Sequence, residues 1–260
     1  MNSDIIKNIS IELNVSEGQI NSTLKMLEEG NTIPFIARYR KEKTGGLTEE
    51  QIKVIKDAYE YQVNLLKRKE DVIRLIDEKG LLTDELKKQI ISATKLVEVE
   101  DLYRPYKEKK KTKATEAIKN GLEPLSKMIM SCPLNGDIKQ LSEKFINENV
   151  KDYKQAVEGA KYIIAEWISD NASYRKYIRT NMYKYGTLVT KMKKNAKDEN
   201  KTYEMYYDYS EAVNKIKPHR ILAINRAEKE NIITIKIDVN DEKIIEYLEK
   251  KNIKDDRSFC

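Results

Sequence analysis

Arg104, Lys107, Lys109, Lys110, Lys111 and Lys113 follow one another closely, with only Glu108 against them. Tyr103, Pro105 and Tyr106 stand at the mouth of this run, and Glu98, Glu100 and Asp101 precede it. Ammonium and guanidinium groups meet phosphates while ring faces meet bases, so a cationic stretch entered through aromatics suits a polyanion with stackable bases. The same run also reads as a solvated, lysine-rich loop with no ligand at all. The candidate nucleic-acid contacts are Arg104, Tyr106, Lys107, Lys109, Lys110, Lys111 and Lys113. Exposed charges contribute little to folding, so reversing Lys109, Lys110, Lys111 and Lys113 should abolish binding and leave stability nearly unchanged.

A second constellation joins Arg38 and Arg40 to the acidic cluster. Both arginines follow the apolar run Phe35, Ile36 and Ala37. That run should be drawn inward, and a charge carried toward buried surface needs a partner. Glu98, Glu100 and Asp101, beside Leu102 and Tyr103, form a dense acidic supply flanked by apolar residues. A structural ion pair between Arg38 or Arg40 and one of these carboxylates is expected, since guanidinium meets carboxylate through two parallel hydrogen bonds. The competing reading leaves both arginines exposed as phosphate contacts.

The catalytic inventory is mostly absences. His219 is the one histidine, and neither it nor the two cysteines, Cys132 and Cys260, stand at zinc-ligand spacing. The nine glycines form neither G-x-G-x-x-G nor a P-loop, so no phosphate-cradling turn is legible. Asp208 and Glu211 could together hold a divalent cation, but such a pair is commonplace, and a capping or loop role is the expectation. No enzyme activity, cofactor, metal or small-molecule substrate is expected. Two distant cysteines imply a reduced, cytoplasmic protein. No apolar run approaches the roughly 20 residues that a spanning helix needs, so no membrane association is expected. Charged residues make up 35% of the 260, with a net charge of +6. Lysine outnumbers arginine 39 to 10, which we attribute to A/T-rich coding bias; the clustering of charge is therefore more informative than its total.

The elements that must carry these residues are mainly α-helical: an array of short and long helices with a small β element near the C-terminal end. Ser3 is placed to cap a first helix with Ile6, Ile9 and Leu13, and Ser16 with Gln19 forms a capping box before a second that stops at Gly30. Residues 31–46 read as irregular around Pro34, Gly45 and Gly46. Thr48 and Gln51 cap a long helix through Ile52, Ile55, Tyr59, Val63, Leu66 and Ile76, the predicted spine. Thr83 opens a further helix, and Val99 and Leu102 lead into Pro105. Asp137 with Gln140, and Asp152 with Gln155, are two more capping-box patterns. Ala156, Ala160, Ile163 and Trp167 mark a buried helix face, and a further helix runs to Gly186. Beyond it a polar stretch, residues 193–204, reads as a mobile loop. Pro218 starts a helix, Ile233, Ile235, Ile237 and Val239 alternate as a strand, and Asp241 starts a last helix. The strand needs a partner, for which 187–193 and 203–207 are the candidates.

Several of these blocks resemble a known family. DLYRPYKEKKKTKATEAIKNGLEPL (101–125), NTIPFIARYRKEKTGGLTEEQI (31–52) and YYDYSEAVNKIKPHRILAINRAEKEN (206–231) look like the Tex family of bacterial RNA-binding transcription accessory proteins, in the same order. Ala227 and Asn231 stand where the family pattern leads one to expect glycine. The resemblance implies an N-terminal helical domain over 1–186 and a smaller mixed α/β segment over 187–260 leading toward an RNase H-like domain. It also implies sequence-nonspecific binding of nucleic acid, chiefly single-stranded RNA, in a cytoplasmic role. The alternative is a non-enzymatic helical scaffold that positions further domains or contacts transcription machinery, its lysines merely solvated.

Overall fold

A computed structural model describes residues 2–260. The fold is mainly helical, with one three-stranded sheet toward the C-terminal end. It parts into two compact units, Met1–Tyr103 and Arg104–Cys260. The change of character at 186/187 thus lies inside the second unit, where helix gives way to strand.

In the first unit, helix α1 (Ser3–Leu13) is capped by Asn2 rather than Ser3: the Asn2 side chain accepts from the Asp4 and Ile5 amides at 3.0 and 3.3 Å. Helix α2 (Glu17–Glu28) opens with the expected Ser16–Gln19 capping box. Residues 31–46 are not irregular but hold two short helices, α3 (Ile33–Tyr39) and α4 (Lys41–Thr44). Pro34 is tolerated because it sits in the first turn, where its missing N–H has no intrahelical partner to lose. The spine is α5 (Glu49–Asp77), 29 residues and about 43 Å long, opened by the Thr48–Gln51 capping box. It buries Ile52, Ile55, Leu65, Val72 and Ile76, whereas Val63 and Leu66 of the expected stripe stay exposed. Ile5, Ile9, Ile20, Leu24 and Ile36 close on Ile52 and Ile55 to form the core. Helices α6 (Asp84–Ser92, capped by Thr83) and α7 (Leu96–Tyr103) pack against the later part of α5.

The second unit begins with a 3-10 turn, Arg104–Tyr106, and continues through α8 (Lys113–Lys119), α9 (Glu123–Met130), α10 (Ile138–Glu143) and α11 (Tyr153–Asp170). Asp137 and Asp152 cap α10 and α11 with their own carboxylates, but the Gln155 side chain returns to the Lys151 amide, 2.7 Å away, rather than to Asp152. Helix α11 is the centre of this unit. Its small residues Ala156, Gly159 and Ala160 are buried, and Trp167 packs partly buried at the rim of the same core, as expected. Approach is tight enough that a Cβ on Gly159 would lie 2.3 Å from Leu122 Cδ1.

Helix α12 (Ala172–Tyr185) ends at Gly186, where a Cβ would meet the Met182 carbonyl at 2.3 Å and Ile237 at 2.8 Å. Strands β1 (Thr187–Met192), β2 (Asp208–Ala212) and β3 (Ile233–Asp238) form an antiparallel sheet in the order β2-β1-β3, with Thr190 opposite both Tyr209 and Ile235. The strand expected at 233–239 therefore pairs with 187–192, while Glu204–Tyr206 is a 3-10 turn. The polar segment before it is anchored: the Asp198 carboxylate accepts from the Thr202 and Tyr203 amides and the Tyr207 hydroxyl at 3.0, 2.8 and 2.9 Å. Helix α13 (Pro218–Lys229) packs on β3, and α14 (Asp241–Asn252) follows. Asn231 adopts φ +61 after α13, so asparagine, which tolerates the left-handed region, does there what glycine was expected to do.

Candidate nucleic-acid interface

The basic run is a strap laid along the C-terminal half of α11. Pro105 and the 3-10 turn bring Arg104 to Asp170, the last residue of α11, with Arg104 Nε donating to Asp170 Oδ1 at 2.8 Å. Lys109 Nζ donates to Glu166 Oε1 at 2.6 Å and also to Asp170 Oδ2. Thr112, which caps α8, donates through its hydroxyl to Glu166 Oε2 at 3.1 Å. The Asp170 side chain is only 8% exposed. A buried carboxylate at a helix C-terminus faces both desolvation and the negative end of the helix dipole, so it persists only with cations against it. Arg104 and Lys109 supply them. Burial works against the Lys109 charge, but the hydrogen bonds to Asp170 and Glu166 outweigh it and hold its pKa above the ordinary lysine value.

The remaining cations of the strap divide. Lys111 pairs with Glu116 at 2.9 Å, and Lys113 donates to the Tyr162 hydroxyl at 3.1 Å with its ammonium 4.7 Å from the ring centroid. Lys107 and Lys110 are exposed, and neither forms an ion pair among the described residues. Tyr106 is half-buried. Arg104, Lys107, Lys109, Lys110, Glu166 and Asp170 border a cleft of about 420 Å³. Ser169 also lines this cleft, and its carbonyl accepts from Arg175 Nη1 at 3.2 Å, so the start of α12 reaches the same end of α11.

The acids Glu166 and Asp170 were not singled out from the sequence. A signal was available: like charges four residues apart on a helix repel, and a face that carries such a pair beside buried residues requires a cation from elsewhere. The strap is that source. Its lysines are accordingly not all solvated charges: Lys109 is engaged by Glu166 and Asp170, so its reversal is expected to cost stability, unlike that of a fully exposed lysine.

The expected ion pair between Arg38 or Arg40 and the acidic cluster is not formed. Glu100 instead accepts from Arg68 Nε at 2.5 Å, and the Arg68 guanidinium lies 5.3 Å from the Tyr103 ring centroid. Glu98 turns back onto the start of its own helix, accepting from the Thr94 and Lys95 amides at 3.0 and 3.3 Å, and Asp101 is buried. The reason lies in α5: α3 packs beside Ile52 and Ile55, whereas α7 meets the same helix at Arg68, roughly 20 Å further along. Arg38 is exposed, and Arg40 lies over the Phe35 ring with its guanidinium 5.2 Å from the centroid.

The other candidate chemistry is absorbed into the fold. Glu211 accepts from the Tyr209 hydroxyl and from Arg220 Nη1, the latter at 2.8 Å, and these hydrogen bonds hold its carboxyl below the ordinary range. Asp208 and Glu211 thus lie on β2 rather than in a loop. His219 is an exposed residue in the first turn of α13. Among the described residues no group of three His, Cys, Asp or Glu side chains is arranged to hold a metal ion, and no helix is long and apolar enough to cross a membrane.

Comparison with known proteins fits this architecture. Residues 3–77 match the Tex-like protein N-terminal domain, and residues 135–256 match the Tex central region-like family. The uncharacterized protein YdcI of Bacillus subtilis is 48% identical over 249 residues, 95% of this chain and 35% of that protein. The transcriptional accessory protein Tex of Neisseria gonorrhoeae is 34% identical over 232 residues, 89% of this chain and 30% of its own. A human relative, S1 RNA-binding domain-containing protein 1, is 29% identical over 252 residues, 93% of this chain and 25% of its own. The chain thus spans about a third or less of the length of these relatives. Matched along most of its length by the N-terminal and central-region models, the chain belongs to the Tex family.

Proposed function

We propose that this chain contributes a sequence-nonspecific nucleic-acid-binding surface, chiefly for single-stranded RNA, to a cytoplasmic protein with an accessory role in transcription, and that it performs no catalysis itself. The observation that carries this reading is the strap: Lys109 is locked to Glu166 and Asp170, and the lock leaves Lys107 and Lys110 exposed on a fixed edge beside the half-exposed Arg104. Fixed cations meet phosphates without first losing chain entropy, and phosphate contacts carry no sequence information. Relatives named for transcription and for an RNA-binding domain support the partner class. Free thiols at Cys132 and Cys260 fit a reducing compartment.

Fluorescence anisotropy with labelled single-stranded RNA across a salt series tests the reading. Contacts from about three cations predict a slope of log K against log salt near −2, and no sequence preference. Absence of binding at low salt rejects it. A helical scaffold that positions further domains or contacts transcription machinery is the second reading, favoured by the engagement of Lys109, Lys111 and Lys113 with this chain's own side chains. Under that reading Lys107→Glu with Lys110→Glu leaves RNA affinity unchanged.

A further inference from the structure

We propose that the exposed face of α3 built on Phe35, Arg38 and Tyr39, with the partly buried Arg40 at the helix C-cap, is a base-stacking platform for single-stranded nucleic acid. The proposal rests on the reading that this chain binds nucleic acid, and it assigns a contact to residues of the first unit, none of which belongs to the strap. Ile36, fully buried, fixes which side of α3 faces the core. Phe35 and Tyr39, four residues apart, share another side and remain 36% and 59% exposed. Their ring centroids are 5.4 Å apart with planes tilted by 44°. Arg40 lies over Phe35, and Tyr39 is the more open of the two rings.

Charge surrounds these rings. Arg38, Arg40, Lys41 and Lys43 form no ion pair among the described residues, and Glu42 is the single acid between positions 33 and 44. Exposed rings with unneutralised arginine and lysine beside them satisfy both halves of single-strand recognition, a π face for the base and cations for the phosphates. An acidic peptide would answer the cations but leave the rings unexplained.

The test uses the whole chain and a labelled oligoadenylate of about 12 nucleotides, within the usual single-strand site size. Phe35→Ala with Tyr39→Ala is expected to weaken RNA binding about tenfold, while competition by inorganic polyphosphate, which has charge but no bases, stays at the wild-type level. As a second measurement, photo-crosslinking of 4-thiouridine RNA to the wild-type protein is expected to mark the peptide containing Phe35 and Tyr39, whatever the variant's folding. Unchanged RNA affinity together with no crosslink in that peptide overturns the platform. So does an equal loss of RNA and polyphosphate binding by a folded variant, or competition by polyglutamate as strong as by RNA. If the ring variant binds normally while Lys107→Glu with Lys110→Glu abolishes binding, the platform alone fails. If the wild-type chain binds no RNA, the functional reading fails with it.

Discussion

The strap at 104–113 and the face of α3 are both basic and both carry aromatics, yet they use their charge in opposite ways. The strap is the denser run, and three of its lysines are engaged by side chains of its own unit: Lys109 by Glu166 and Asp170, Lys111 by Glu116, Lys113 by Tyr162. The α3–α4 segment carries fewer cations, and none of Arg38, Arg40, Lys41 or Lys43 forms an ion pair among the described residues. A run of charge is therefore a poor measure of charge available to a ligand. What decides availability is whether the fold brings carboxylates against it.

The largest effect that would sharpen this contrast is Lys109→Glu. It would place a third carboxylate beside Glu166 and the buried Asp170, and loss of a partner from such a pair is expected to destabilise the fold by on the order of 3 kcal/mol. Arg38→Glu, on an exposed site, should shift stability by less than about 0.5 kcal/mol. Thermal or denaturant unfolding compares the two, and equal small effects would erase the distinction between strap and face.

Next in size is Gly159→Ala. Its Cβ would meet Leu122 at 2.3 Å, where α11 packs beneath the α8–α9 connection, so a loss of about 2 kcal/mol is expected from overpacking. A neutral result would mean that Leu122 can move aside and that the seat of the strap is more compliant than the packing implies.

Arg68→Ala should lose about 1 kcal/mol, since its pair with Glu100 is partly exposed. Combined with Arg38→Ala, the two effects should add; measurable coupling in the double variant would restore a link between α3 and the acidic cluster.

The smallest effect is one of pH. Because the folded-state pKa of Lys109 is raised, its contribution is complete below the ordinary lysine value of about 10.4 and is lost only as pH rises through the higher folded value. The stability difference between wild type and Lys109→Met should thus be flat through neutral pH and shrink only in strongly alkaline solution. A difference that declines near neutrality would assign the anchor to another group.

Element types, caps and one strand were legible in the residues themselves. Ser16–Gln19 and Thr48–Gln51 formed their capping boxes, Pro218 began its helix, and the alternation at 233–239 became β3, because each depends on hydrogen bonds and burial within a few residues. Sequence similarity over nearly the whole chain likewise carried the family. The partners of the charges were not local. Lys109 meets acids 57 and 61 residues away, and Glu100 meets Arg68 from 32 residues away, contacts chosen by how α11 and α5 pack rather than by any spacing in the chain. A long helix also carries its neighbours apart: the positions along α5 that receive α3 and α7 lie too far from each other for Arg38 or Arg40 to reach Glu100. Side-chain charge is written in the sequence, but its neutralisation is a property of the packed surface, because attraction between charges falls off over distances that only the tertiary fold sets.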